Sequence, residues 1–358
     1  MQATFSDRGT LCLKSNSDRE TAAPYVARRP VTPYVCPACH KPVEIGTHAY
    51  VCTACDLIFP VLFGIADFRL GSDRYLDLES ERKKAGYLHA FAQTASFDET
   101  LREYYRITSD VPPAQAERFA SYAQRGIARG ELICDALGDL RGGTVLDVGC
   151  ATGGFLIAAS RRGWTLVGVD IALRWLVVCA KRLHELDLTV ELICADMGAL
   201  PFAEGQFSGC VFADLIEHIK EDADVSEAIM SILRPGGRIF VSSANRLTLT
   251  AYPSAGLVGI GYLPERVRSA YIRARRGIDT MRFATPRSAR RVRRILAMAG
   301  LKAIQTRPLA IPASQLPGSG RVTRLLETVY RCLQRVGMLR RFMILFGPAF
   351  EITAERPL

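Results

Sequence analysis

The sequence predicts an α/β chain built around a doubly wound, mostly parallel, seven-stranded sheet. Three observations carry this. From Thr144 onward, short apolar segments alternate with helical ones. Glycines bound most of these segments, as in GGFLIAASRRG and LAMAGL. Hydrophobic residues make up 49% and charged residues 23%, an ordinary globular balance with enough apolar material for a sizeable core. At 358 residues the chain exceeds one ordinary domain, so two or three are expected.

The elements follow in order. Residues 1–33 mix Ser, Asp and Arg and end in prolines, so a flexible leader is expected. Residues 34–70 contain Cys36-Pro-Ala-Cys39 and Cys52-Thr-Ala-Cys55. Two C-x-x-C turns at this spacing bring four thiolates to one tetrahedral site, the donor set of structural zinc, whereas a redox role needs only one pair. Cys36, Cys39, Cys52 and Cys55 are therefore the expected metal ligands of a small N-terminal zinc ribbon, and His40 and His48 are surface residues. The apolar run LIFPVLFGIADF after the second pair should form a strand and dock on another domain. So small a module should need its metal to fold. The other seven cysteines (Cys12, Cys134, Cys150, Cys179, Cys194, Cys210 and Cys332) are expected to be buried small apolar residues. Residues 71–140 form a helical cap, broken where Ser109 to Pro113 ends in two prolines.

Residues 141–358 are the expected core. Its strands are TVLDVG, TLVGVD, TVELICAD, FSGCVFAD, GGRIFVSSAN, KAIQTRPL and FEITAERP. Insertions are expected at about 247–284 and 312–347. In such a sheet ligands sit at the carboxyl ends of the strands.

The segment Val145-Leu146-Asp147-Val148-Gly149-Cys150-Ala151-Thr152-Gly153-Gly154 joins the first strand to its helix. It lacks the G-x-G-x-x-G spacing that lets backbone approach a pyrophosphate. Asp147, two residues before the first glycine, would repel a pyrophosphate but suits a ligand carrying an amino group and a sulfonium. Asp170 ends the next strand, where an acid accepts hydrogen bonds from two ribose hydroxyls. Asp196 and Met197 follow the third strand, placed to meet an adenine edge.

On these residues the chain resembles the class I S-adenosylmethionine-dependent methyltransferases, whose fold is Rossmann-like, over about residues 140–245. The resemblance implies S-adenosylmethionine as methyl donor. It implies that Gly149 and Gly153 close on the methionine part, Asp147 helps hold the amino group, Asp170 with Ile171 meets the ribose, and Asp196 with Met197 meets adenine. Asp214 would hold the amino end by backbone contact. Ala151 departs from the glycine usual there. The ribbon resembles the small zinc-ribbon activators of RNA and protein methyltransferases, and ribosomal-RNA guanine-N1 methyltransferases also carry an N-terminal zinc module. The layout after the fifth strand looks more like bacterial methyltransferases of glycan, lipid or secondary-metabolite pathways.

After the fourth strand come Asp214, Leu215, Ile216, Glu217 and His218. His218 is the best-suited general base by its ordinary pKa, and a structural histidine is the competing reading; Asp214 is a second catalytic candidate. From Arg238 onward 22 basic residues, 21 of them Arg, face 5 acidic ones. That favours a phosphate, membrane-surface or nucleic-acid partner, against solvated helix faces. In 321–346, Arg321, Arg324, Arg331, Arg335, Arg340 and Arg341 interleave with apolar residues at helical spacing. The expected function is O-methylation of a small molecule, glycan or lipid-linked intermediate by in-line displacement, with RNA methylation as the alternative. The N-terminus has no secretory pattern, and the longest charge-free run, Leu247 to Pro264, is broken by prolines and glycines. A cytoplasmic protein, peripheral to the membrane if the basic third docks there, is expected.

Overall fold

A computed structural model describes residues 31–108, 111–310, 328–330 and 332–358. The expectations for residues 1–30, and for Arg321, Arg324 and Arg331, lie outside the described residues.

The centre is a parallel sheet of β5 (Thr144–Val148), β6 (Thr165–Asp170), β7 (Glu191–Cys194), β8 (Phe207–Ala213) and β9 (Leu233–Ala244). β11 (Ala349–Glu355) and β10 (Lys302–Pro308) complete it antiparallel. The order β7-β6-β5-β8-β9-β11-β10 reverses direction at β5, the doubly wound switch point. Helices α5 (Gly154–Arg161), α6 (Leu173–Glu185), α7 (Asp222–Ile232) and α9 (Ala289–Met298) cover its faces. The insertion after β9 contributes α8 (Glu265–Arg276).

The sheet does not stop at β7. The ribbon strands β1 (Glu44–Ile45), β2 (Ala49–Cys52), β3 (Leu57–Leu62) and β4 (Ile65–Asp67) run on from it. β4 pairs in parallel with β7, Ala66 beside Ile193 and Asp67 beside Cys194. One apolar core spans the seam. Tyr34 packs 5.1 Å from both Tyr50 and Phe68, and Phe202 continues the cluster to Phe207 at 4.8 Å. Just after β4, the buried Arg69 fork binds Asp67 through Nε and Nη2, each at 2.8 Å. Its third arm, Nη1, donates to the Ile171 carbonyl at 3.2 Å.

The cap contains α1 (Leu78–Ala92), α2 (Phe97–Arg106), α3 (Pro113–Gln124) and α4 (Gly126–Leu137). Asp77 caps α1, and Ser96 with Glu99 forms a capping box on α2. The segment AQAERFASYAQRGIARGELICDALGD reads as one continuous helical run but forms two helices meeting at Arg125. The restart lets α4 lie against the start of α5. A Cβ on Gly130 would stand 2.6 Å from the Gly154 carbonyl oxygen, so only glycine permits this approach. Among the six cysteines outside the ribbon that are described, five are buried as expected. Cys332 is exposed instead. Among the described residues, no helix is long and apolar enough to cross a membrane.

Candidate active site

A cavity of about 840 Å³ opens at the carboxyl ends of β5, β6, β7 and β8. Its floor is the loop after β5. Gly149 has φ 76°, and a Cβ there would meet Leu215 at 3.0 Å. Ala151 takes φ 44°, a left-handed conformation that costs an L residue roughly 1–2 kcal/mol. In that conformation its N–H donates to Asp170 Oδ2 at 3.0 Å, while the Ala172 N–H donates to Oδ1 at 2.9 Å. The two bonds fix the carboxylate and leave each oxygen a further lone pair. Burial pushes the Asp170 pKa up, against the pull of these donors.

Ile171, Asp196 and Met197 line the same side. Asp196 Oδ1 accepts the Gly198 N–H at 2.8 Å and so shapes the short turn that carries Met197. Asp147 and Gly153 do not line the cavity. Asp147 is buried within β5, where burial and then the Asp170 charge push its pKa up to about 8. Gly153 serves the turn into α5 with φ 73°, and a Cβ there would stand 2.6 Å from Cys179 Sγ.

The opposite side begins with Asp214, another non-glycine residue at positive φ, 53°. Arg129 from α4 pairs with both its carboxylate oxygens, Nη2 meeting Oδ1 at 2.8 Å. The Tyr122 hydroxyl donates to Oδ2 at 2.9 Å. Burial works to raise the Asp214 pKa, but the Arg129 guanidinium outweighs it and holds the carboxyl below its usual range. A carboxylate so paired is a poor proton acceptor. His218 ends the short 3-10 turn Ile216–His218 and opens on the cavity. Enclosure by the walls, then the Arg74 cation, lower its pKa, while Asp214 works the other way. The net effect favours neutral imidazole. The final wall is a strap, residues 69–77, whose Ser72, Asp73, Arg74 and Tyr75 reach the cavity.

Arg129, Tyr75, Arg174 and Trp175 were not expected from the sequence. Arg129 had a signal: with Ile133 and Leu137 it repeats every four residues, which puts a charge on the buried stripe of α4. Tyr75 had none, since only the path of the strap brings it to His218.

The four ribbon thiols converge, with Sγ separations of 3.6 Å for Cys36–Cys55 and Cys39–Cys52 and 3.0 Å for Cys39–Cys55. A tetrahedron with metal–sulfur bonds of about 2.3 Å has edges of about 3.8 Å, so the donor set fits zinc with a slight expansion. His40 and His48 are exposed.

This strand order and loop define a class I methyltransferase fold. Residues 145–237 match the family model described as a methyltransferase domain. It is similar to the ubiquinone biosynthesis O-methyltransferase of Aeromonas salmonicida (strain A449), 37% identical over 117 residues, 32% of this chain and 48% of that one. The corresponding protein of Xylella fastidiosa (strain 9a5c) is 35% identical over 127 residues, 35% of this chain and 50% of that one. The chain thus spans about half the length of the curated relatives it matches. Among solved structures, phosphoethanolamine N-methyltransferase 2 of Haemonchus contortus aligns at TM-score 0.47 and 18% identity, covering 68% of this chain and 58% of that one. Geranyl diphosphate C-methyltransferase of Streptomyces coelicolor aligns at TM-score 0.42 and 20% identity, covering 64% and 75%.

Ala151→Gly should relieve the left-handed strain and raise stability by up to about 1 kcal/mol, less the entropy glycine adds to the unfolded chain. A urea midpoint that falls instead would mean that the Ala151 methyl packs usefully in the loop.

Proposed function

We propose that this protein is an S-adenosylmethionine-dependent methyltransferase acting on a hydroxyl oxygen of a small molecule, glycan or lipid-linked biosynthetic intermediate. The observation that carries the reading is one cavity with Gly149, Asp170, Ile171, Asp196 and Met197 along one side and His218 at the other. The cofactor fits on this chain's own terms. Asp170 presents two fixed oxygens to a vicinal diol, and the bare backbone at Gly149 allows close approach. When bound, the cofactor supplies an electrophilic methyl group on a sulfonium. The chain's residues bind and align it, Tyr104 and Trp175 narrow the cavity against water, and His218 takes the proton from the acceptor hydroxyl. The similarity to O-methyltransferases of ubiquinone biosynthesis favours oxygen and a small acceptor over RNA.

We further propose that Cys36, Cys39, Cys52 and Cys55 hold one structural Zn²⁺, and that the basic third rests on an anionic membrane. Met338, Phe342 and Leu345 on helix Gly337–Phe346 are exposed, Met338 at 78%. The Leu249 N–H donates to the Phe346 carbonyl at 3.0 Å, which joins this helix to the exposed Leu249 of the insertion. Arg335, Arg340 and Arg341 are exposed on the same segment, and none pairs with an acid among the described residues. A second copy on a twofold axis would set these arginines against each other, whereas anionic lipid neutralises them at about 1 kcal/mol each.

Calorimetry should show S-adenosylmethionine binding that Asp170→Ala weakens by about 1.5–3 kcal/mol per lost charged hydrogen bond. With labelled cofactor, wild type should label an acceptor in lipid or glycan extracts and not RNA; label entering only RNA would replace this reading with the RNA one. Metal analysis should find one zinc per chain. Chelation should loosen the ribbon while the parallel sheet stays folded, and a protein that keeps its full spectrum and cofactor affinity without metal would refute the zinc. Anionic vesicles should sediment the protein at low salt and release it at high salt, while neutral vesicles should not; equal binding to both would remove the arginines from the account.

A further inference from the structure

We propose that Tyr75 is the positioning residue for His218: its phenol oxygen accepts the imidazole Nδ1–H and so leaves Nε2 as the nitrogen free to take a proton. The catalytic consequence rests on the O-methylation proposed above, but the tautomer does not.

The geometry is specific. Tyr75 Oη lies 3.3 Å from His218 Nδ1. The tyrosine is held from several directions. Asp73 Oδ1 accepts the backbone N–H groups of Tyr75 and Leu76, each at 2.6 Å, which turns the strap back on itself. The Tyr75 ring meets Phe283 of the insertion edge-on, with centroids 4.9 Å apart and planes at 80°. Arg74 Nη1 donates to the Phe283 carbonyl at 3.3 Å, and the Arg282 guanidinium stacks on the Phe283 ring at 4.8 Å. The strap is thus clasped to the insertion beside His218.

A neutral imidazole has one N–H, and only its bare nitrogen can act as a base. Were Tyr75 to donate to Nδ1, Nε2 would carry the proton and His218 could not accept one from a substrate there. Tyr75 is 48% exposed, so its own O–H can point to water or to the acceptor molecule. That leaves its oxygen lone pairs for Nδ1–H. The other groups around the imidazole do not compete for this bond. Arg74 on the strap is a cation with no lone pair to offer, and Asp214 after β8 is committed to Arg129 and Tyr122. Lys220 and Asp224, also on the cavity wall, make no hydrogen bond to the ring among the described residues. In the reaction the acceptor oxygen gains the methyl group as the sulfonium becomes a thioether. The acceptor proton moves to Nε2, and the resulting imidazolium keeps its Nδ1–H on Tyr75.

Neighbouring Glu217, pushed up to about 7 by burial and then by the Asp214 charge, also changes its charge near neutral pH. A pH limb alone would therefore not identify His218. The test is nitrogen-15 NMR on the full-length protein, with the His218 signals assigned by their loss in His218→Gln. At pH above the imidazole transition, wild type should show a protonated Nδ1 and a bare Nε2. Tyr75→Phe, which keeps the ring on Phe283, should move the tautomer toward Nε2–H. It should also lower kcat about ten- to hundredfold in the labelled-methyl assay, part of the about 10²–10⁴ a general base supplies, with cofactor affinity unchanged. A protonated Nε2 in wild type overturns the proposal without need of any variant. So does a Tyr75→Phe protein whose tautomer and kcat match wild type. If the tautomer shifts as expected but neither protein transfers methyl to any acceptor, the Tyr75 assignment stands and the O-methylation reading fails.

Discussion

Asp67 and Arg69 are buried side by side, at 1% side-chain exposure each, where the ribbon meets the parallel sheet. Neither charge could stay there alone, since removing one partner of a buried pair typically costs about 3–5 kcal/mol. The pair is held by position. Asp67 is the last residue of β4, so the β4–β7 register sets it, and Arg69 then has one arm left for the Ile171 carbonyl. Ile171 follows Asp170 directly. The ribbon, the strap and the strand end that carries Asp170 into the cavity are therefore tied through one guanidinium. Arg82 of α1 adds a second cation to Asp67 at 3.2 Å and brings the cap into the same joint.

Much of the central sheet was legible because its strands are local. A run such as TLVGVD is apolar, bounded and short, and the acid at its end falls where the fold needs it. The glycine bounds worked equally well for α9, which stops just before Gly300. The cap was less legible, because what splits α3 from α4 is the close passage of Gly130 by Gly154, a contact between segments distant in sequence. The joining of ribbon and core lay deeper still. LIFPVLFGIADF announces a strand seeking a partner, but nothing in it names Glu191–Cys194 as that partner.

The candidate site divides along the same line. Asp170, Ile171, Asp196 and Met197 sit on strand ends, and their places follow from topology alone. Asp147 also sits on a strand, but its register partner is Gly168, two residues short of Asp170, so it is buried within the sheet before the cavity begins. Asp214 was legible as a residue but not as half of an ion pair. Its partner comes from the cap, and the positive φ that presents its carboxylate has no signature in Ala-Asp-Leu.

The eleven-stranded sheet has another consequence, at its two ends. A sheet that ended at β7 would leave the N–H and C=O groups of a buried, apolar strand facing solvent, a template for pairing with a neighbouring molecule. The ribbon moves that boundary out to β1, which is exposed and only two residues long, too short to recruit anything. At the far end β10 breaks its own ladder between Lys302 and Gln305, carries Arg307 outward and finishes at Pro308. Both borders are thus blunted, one by shortness and the other by irregularity and charge. A molecule that lost its grip on the ribbon would expose the β7 border and become prone to self-association through it, so the turns that bring the four cysteines together also shield an edge far from them.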